Sequence, residues 1–339
     1  MGKKPKEKND DIDEINDTDT DTDTDTENPT STKIVKAKEN KLSLLGKDDP
    51  VFLARYGATL QRVINEFPTK EDFERIITAL PQIQKDAVLK IIRKFLGTKK
   101  GVYTTQGALD FPELRLYQGT GNDKNRPKKQ IPGEFYITNP SMNVGEMFEG
   151  TVLAIWSGRT MWGGEGESAI LCTSMDRIIG TQLGYCDKCL NMPWRDNKKT
   201  QKCGDHVIAY MLTKDLSNIL TVRFQKTSEA SGRRLMRLAQ SSEFLGEQTY
   251  KLTAEHRTGK TDSSYKWYVV NVEAGEPNVP IVVEFCDAMC TLLEGTYILP
   301  NMAACYQKGQ EVAPVPTTPQ RELGEAEKDI DDMNDAPPV

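Results

Sequence analysis

Four cysteines in the middle of the chain have the types and spacing that metal chemistry needs. Cys186 and Cys189 form a C-x2-C pair within GYCDKCLNMPW; 13 residues separate Cys172 from the pair and 13 separate the pair from Cys203. Zinc takes four tetrahedral ligands, and two thiolates on one tight turn grip one ion while flanking cysteines close the site. His206, three residues past Cys203, is the rival fourth ligand if Cys172 is simply a strand residue, although four cysteines are the preferred set. A redox C-x2-C is the other reading, but that motif opens a helix after a strand in a βαβ setting, which the surrounding pattern does not offer. Four thiolates leave no position for water, so the Zn2+ expected here is structural. The segment between the outer cysteines is polar, with Lys188, Arg195, Lys198 and Lys199, and metal binding would supply stability it lacks. Cys286, Cys290 and Cys305 read as small buried hydrophobes.

A second set of residues suits an anionic polymer. SGRRLMRL places Arg233, Arg234 and Arg237 near one helical face, following Lys226 in the QKTS turn. AIWSGRTMW groups Trp156, Arg159 and Trp162. In 219–226, Leu220, Val222 and Phe224 share one strand face and Arg223 lies on the other; in 264–271, Trp267 alternates with Lys266 and Tyr268. With Tyr210, these rings and cations could stack unpaired bases and hold phosphates. Each ring taken alone has a plainer role as sheet filling.

The elements that must position these groups follow from periodicity. Ile83, Ala87, Val88, Ile91, Ile92 and Phe95 recur at helical spacing, and 50–97 reads as three helices, with Thr69 and Asp72 capping the second. Strands are expected at 147–156, 167–173, 206–212, 219–226, 248–257 and 264–271, with a helix between the fourth and fifth and another at 281–294. That order predicts an α+β fold, an OB-fold-like Greek-key β-barrel with a zinc-binding insert, preceded by a small helical region and flanked by disordered acidic tails. The divisions are a tail at 1–48, helices at 49–100, a barrel domain at 101–306 with its insert at 172–206, a Pro-rich linker at 307–320 and an acidic tail at 321–339.

Charge divides along the chain in the same way. The 339 residues carry 44 Lys/Arg and 50 Asp/Glu, a formal net charge of -6. Residues 1–30 hold 11 acidic and 4 basic groups, and 321–339 hold 7 and 2, leaving a body with 38 basic and 32 acidic groups. Tails and body of opposite charge can compete for one surface. DTDTDTDTDT from Asp17 has no apolar face and self-repels, which predicts disorder. No apolar run approaches the ~20 residues a bilayer crossing needs, and no secretion signal opens the chain. With seven cysteines, an odd number, this predicts a reducing, cytoplasmic setting and no membrane partner.

The acidic end EKDIDDMNDAPPV, with Ile330, Met333 and its apolar finish, resembles the tails of bacterial and bacteriophage single-stranded DNA-binding proteins. Residues 105–275 are similar to the bacteriophage members of that class: ELRLYQG, PGEFYIT, the cysteine order and F-x-K-T-S from Phe224 to Ser228. The chain departs in having Leu190 where a proline often follows the second C-x2-C cysteine. The resemblance implies an oligonucleotide-binding barrel with a zinc insert that coats single-stranded DNA without catalysis. It also implies an acidic tail that recruits replication or recombination proteins and competes with DNA for the groove. A zinc-stabilised protein–protein adaptor, an inhibitor of host transcription or repair, and an RNA-binding protein are the alternatives. No P-loop, G-x-G-x-x-G or H-E-x-x-H motif occurs, so an enzyme is not expected.

Overall fold

In the computed structural model, Asp49 starts the first helix by accepting from Val51 N at 3.0 Å and Phe52 N at 2.9 Å, with Pro50 at the first helical position. Both features occupy groups that an α-helix leaves unpaired at its start. The structure describes residues 49–96, 111–119, 126–162, 170–189, 203–258 and 266–312, together with Leu45. The expected tails at 1–48 and 321–339 lie, apart from Leu45, outside the described residues.

Helix α1 spans Pro50–Asn65, α2 Lys70–Ala79 and α3 Gln82–Leu96. The cap of α2 is reciprocal: Thr69 N donates to Asp72 Oδ2 at 2.8 Å, and Asp72 N donates to Thr69 Oγ1 at 3.2 Å. In α3, Val88, Ile91 and Ile92 are buried, but Ile83 is 87% exposed, so the apolar stripe begins a turn later than its periodicity suggests.

The strands are β1 Glu113–Leu116, β2 Phe135–Thr138, β3 Ser141–Gly145, β4 Met147–Trp162, β5 Ile170–Ser174, β6 Ile179–Gly180, β7 Gly184–Tyr185, β8 Cys203–Thr213 and β9 Ile219–Gln225. Helix α4 (Glu229–Gln240) follows, then β10 Gln248–Thr258 and β11 Lys266–Pro277. Helix α5 (Pro280–Leu293) runs through a π-helical turn at Glu294–Ile298 into α6, Leu299–Val312. Pro300 accounts for the wide turn, since a proline ring would collide with the carbonyl four residues back in a regular helix. The expected linker at 307–320 is therefore helical to 312, and its remainder lies outside the described residues.

One curled sheet, open like a half-barrel, runs β11-β10-β4-β8-β9-β1-β2-β3, with β5 paired to β4. Among the described residues every strand pairing is antiparallel except β1 with β9. Alternation assigns the two faces. Val207, Met211, Leu220, Phe224, Tyr250, Leu252 and Val272 fill the concave side. Tyr210, Leu212 and Ile219 face outward into a second apolar cluster with α1–α3, α5 and α6. Each such side chain contributes roughly 1.5–3 kcal/mol by leaving water. The N-terminal helices thus share a core with the sheet.

Two devices draw the curl together. A Cβ added to Gly232 in α4 would lie 2.7 Å from the Cβ atoms of Val207 and Phe224, so only glycine lets the helix sit that close to β8 and β9. At the other end, Gln118 donates to Tyr268 O at 2.9 Å and accepts from Tyr268 N at 2.8 Å. One side-chain amide there acts as a strand neighbour, tying the chain beyond β1 to β11.

Candidate metal centre and nucleic-acid interface

The sheet register sets two of the cysteines side by side. Met161 of β4 pairs with Cys172 of β5 on one side and with Cys203 of β8 on the other. The β6–β7 hairpin then delivers Cys186 and Cys189 on a tight turn, with Cys189 N donating to Cys186 O at 3.2 Å. All four line one cavity of about 20 Å³, with Arg159, Met161, Ser174 and Gly180 among its other walls. Such a space holds one water-sized occupant. Among the described residues, no three or more histidine, cysteine or carboxylate side chains stand ready to hold an ion as placed. The thiols share a cavity without closing into a tetrahedron.

Burial pushes the Cys203 thiol up to about 11. It also raises Cys186, against the opposing effects of Ser174 and Arg159. Ion binding here must therefore displace protons. Arg159 is the cation of this corner: its Nε donates to Asp205 Oδ1 at 2.6 Å, and both side chains are 9% exposed. Arg177 reaches the other oxygen of Asp205 at 3.0 Å. Arg159 is thus committed to the cysteine corner, a correction to its expected place on a polynucleotide surface. The insert is also less polar than expected, since Ile179 and Tyr185 enter the outer apolar cluster.

His206 does not join the cysteines. Three residues from Cys203, it projects from the opposite face of β8 and lines a different, larger cavity. Its Nδ1 lies 3.4 Å from Thr160 Oγ1. Desolvation, then the nearby Arg223, lowers its pKa to about 4, with Asp205 opposing. A buried neutral imidazole favours the folded state while the unfolded histidine is also neutral. That contribution is lost as pH falls from about 6.5 toward 4. The difference corresponds to about 3 kcal/mol in all, of which roughly 2 kcal/mol disappears between pH 7 and pH 5. Urea unfolding at the two pH values should show this slope, and His206→Asn should flatten it by that amount.

The larger cavity, about 480 Å³, lies between the outward face of β4, β8 and β9 and helix α6. Trp156, Tyr210 and Arg223 all line it. Tyr210 is only 4% exposed and meets Trp156, Phe111 and Tyr297 edge-on, with centroids 5.1, 4.9 and 5.7 Å apart. It is a cavity wall, not an open stacking platform. Arg223 Nε lies 3.6 Å from Glu113 Oε1, while Arg115 holds Oε2 of that glutamate at 2.6 Å.

The other expected contacts lie elsewhere. Arg233, Arg234 and Arg237 are exposed on α4, and Lys226 is exposed in the turn before it with φ of 53°. Arg233 pairs with Glu229 at 2.6 Å, a surface pair worth under about 1 kcal/mol. Arg234 reaches Asn271 of β11 at 3.5 Å. The Tyr268 ring is 5.2 Å from that of His256 and abuts Gly133. Trp267 is half-buried beside it, and the Lys266 side chain lies outside the described residues. Trp162 is 42% exposed at the end of β4, paired with the exposed Ile170 of β5. One groove lined by 206–212, 219–226 and 264–271 is therefore not what forms. Strand order sets β11 at the far side of β10 and β4 from β8, and the cations divide between the cavity and an α4–β11 surface.

Glu113, Phe111, Tyr297, Asn301 and Lys308 were not singled out in the sequence. For the last three a signal exists: 297, 301, 304, 305 and 308 recur at one face of a helix, and all five residues line the cavity. Among the described residues no helix is long and apolar enough to cross a membrane. Comparison with protein-family models, with curated proteins and with solved structures found no match to this chain.

Proposed function

We propose that this chain is a non-catalytic single-stranded DNA-binding protein built on an OB-type barrel with a structural zinc. The supporting observation is topological. Strands β4, β8, β9, β10 and β11 lie in the order β9-β8-β4-β10-β11, and α4 falls between β9 and β10. An OB-type barrel has this five-strand order with a helix after its third strand, and its second and third strands bind oligonucleotides. Those strands correspond to β8 and β9, whose outward face carries Tyr210 and Arg223. The gap between β9 and β11 is bridged by β1 and Gln118.

On this reading the phosphates follow Arg223 and the exposed cations Lys226, Arg233, Arg234 and Arg237. The zinc would be held by Cys172, Cys186, Cys189 and Cys203, whose all-sulfur donor set and single-ion cavity suit it, with Arg159 offsetting the thiolate charge. Bound zinc would supply cross-linking of β5, β8 and the hairpin turn. The acidic 321–339 segment would compete with DNA and recruit replication or recombination partners.

Tryptophan quenching by oligo(dT) tests the reading. Binding should weaken steeply with salt, by about 300-fold between 50 and 200 mM if six phosphates of a single strand are held. Duplex should bind more weakly, and deleting 321–339 should strengthen single-strand binding at low salt. No quenching at low salt would favour the protein–protein adaptor, and a stronger response to single-stranded RNA would change the polymer.

A further inference from the structure

The 480 Å³ cavity beneath α6 has the chemistry of a pocket for one planar ligand. Trp156, Tyr210, Phe111 and Tyr297 make one end aromatic. Trp156 lines the cavity, but its Nε1 is shielded and without a hydrogen-bond partner, so a turn of the ring is what would present this donor to an occupant. A buried indole N–H without an acceptor is costly, and a ligand that offers one removes the cost. A purely apolar occupant would leave that donor unpaired, and a compact anion would waste the rings. Toward the rim stands Arg223, whose contact with Glu113 is long at 3.6 Å while Arg115 holds the same carboxylate at 2.6 Å. Charge-assisted contacts are normally well below 3 Å, so Glu113 belongs mainly to Arg115. A guanidinium has five donors in a fork that fits phosphate.

We infer that this cavity binds a single nucleotide, its base against the aromatic walls with an edge acceptor on Trp156 Nε1, and its phosphate on Arg223. The inference deepens the proposed DNA-binding role and rests on that reading only for the source of the nucleotide, free or as one unit of a strand. Its volume lies within the range of small-molecule sites and is too small for several stacked nucleotides, so the rest of a strand would remain outside over the cationic surface.

Equilibrium dialysis with labelled dTMP and with oligo(dT) on the full chain tests it. The variants are Trp156→Phe, which keeps a ring and deletes the donor, and Ala304→Trp, which plugs the cavity from an exposed position on α6. Wild type should take up one dTMP, Trp156→Phe should weaken it about tenfold, and Ala304→Trp should abolish it. Glu113→Gln should tighten binding severalfold. If dTMP fails to bind but both variants weaken oligo(dT), the nucleotide enters as part of a strand and the pocket stands. If dTMP binds and oligo(dT) does not, the pocket stands and the coating role fails. If both variants melt like wild type and bind dTMP and oligo(dT) unchanged, the pocket is refuted while the coating role survives. A wild type that binds neither probe refutes both.

Discussion

If the proposed zinc is held by the four thiols, Cys186→Ser should release it and melt the insert, while the β8–β9–β10 core keeps its secondary structure. Cys186 is 8% exposed and joins Cys172, Cys189 and Cys203 around a cavity sized for one ion. Structural zinc in small peptides contributes about 10–16 kcal/mol of apparent binding energy, far more than one side chain can supply. Reduced wild type should hold one equivalent of zinc, and the variant should hold less than half of one by metal analysis. The effect should spread beyond the insert, because a Cβ at Gly309 of α6 would fall 2.5 Å from Ile179 Cγ1. Hydrogen exchange should therefore quicken in β6, β7 and α6 together. His206→Asn should leave zinc content unchanged, since His206 lines the other cavity. A full zinc equivalent in Cys186→Ser would remove the four-thiolate site.

Asp176→Ala should cost roughly 3–5 kcal/mol, although the residue touches neither cavity's expected ligand. Its carboxylate is 7% exposed and ties two remote helices to its own turn. Oδ2 accepts from Tyr56 of α1 at 2.8 Å and from Tyr306 of α6 at 2.6 Å, and Oδ1 accepts from Ile178 N at 2.9 Å. Burial, then the nearby carboxylate, raises both tyrosines' pKa values, so both hydroxyls remain donors. Deleting their acceptor leaves each unpaired at about 1–3 kcal/mol. Urea unfolding measures the loss. Adding Tyr56→Phe and Tyr306→Phe to Asp176→Ala should restore part of it, because the stranded hydroxyls are then gone. A loss below 1 kcal/mol would mean that α1 and α6 are held to this turn by apolar contact alone.

Much of the local structure was legible in the sequence. The six main strands overlap their expected spans, with β4 running on to Trp162 and β11 to Pro277, and α4 lies between β9 and β10. The alternation of Leu220, Val222 and Phe224 against Thr221 and Arg223 survives intact in the two faces of β9. Such features depend on neighbours two to four residues apart. Short β1–β3 were not resolved from 103–146, because strands of four or five residues give too little periodicity to read. The sequence predicts a helix only to 294 and a linker from 307, whereas α6 runs to Val312 and stops two residues before Pro314; the stop signal is there, but Gly295 and Pro300 hide the continuity before it.

Site membership divides along the same line. The cysteine spacing by itself marked out four sulfurs that line one cavity, and composition alone assigned acidic ends to a basic body. Only the tertiary structure separated His206 from Cys203, since alternation along one extended strand sends residues three apart to opposite faces. Only the tertiary structure gave Arg159 to Asp205 and the thiols, and moved β11 away from β8. Those outcomes depend on which strands become neighbours. That choice is made by long-range burial of both sheet faces, and no local pattern encodes it.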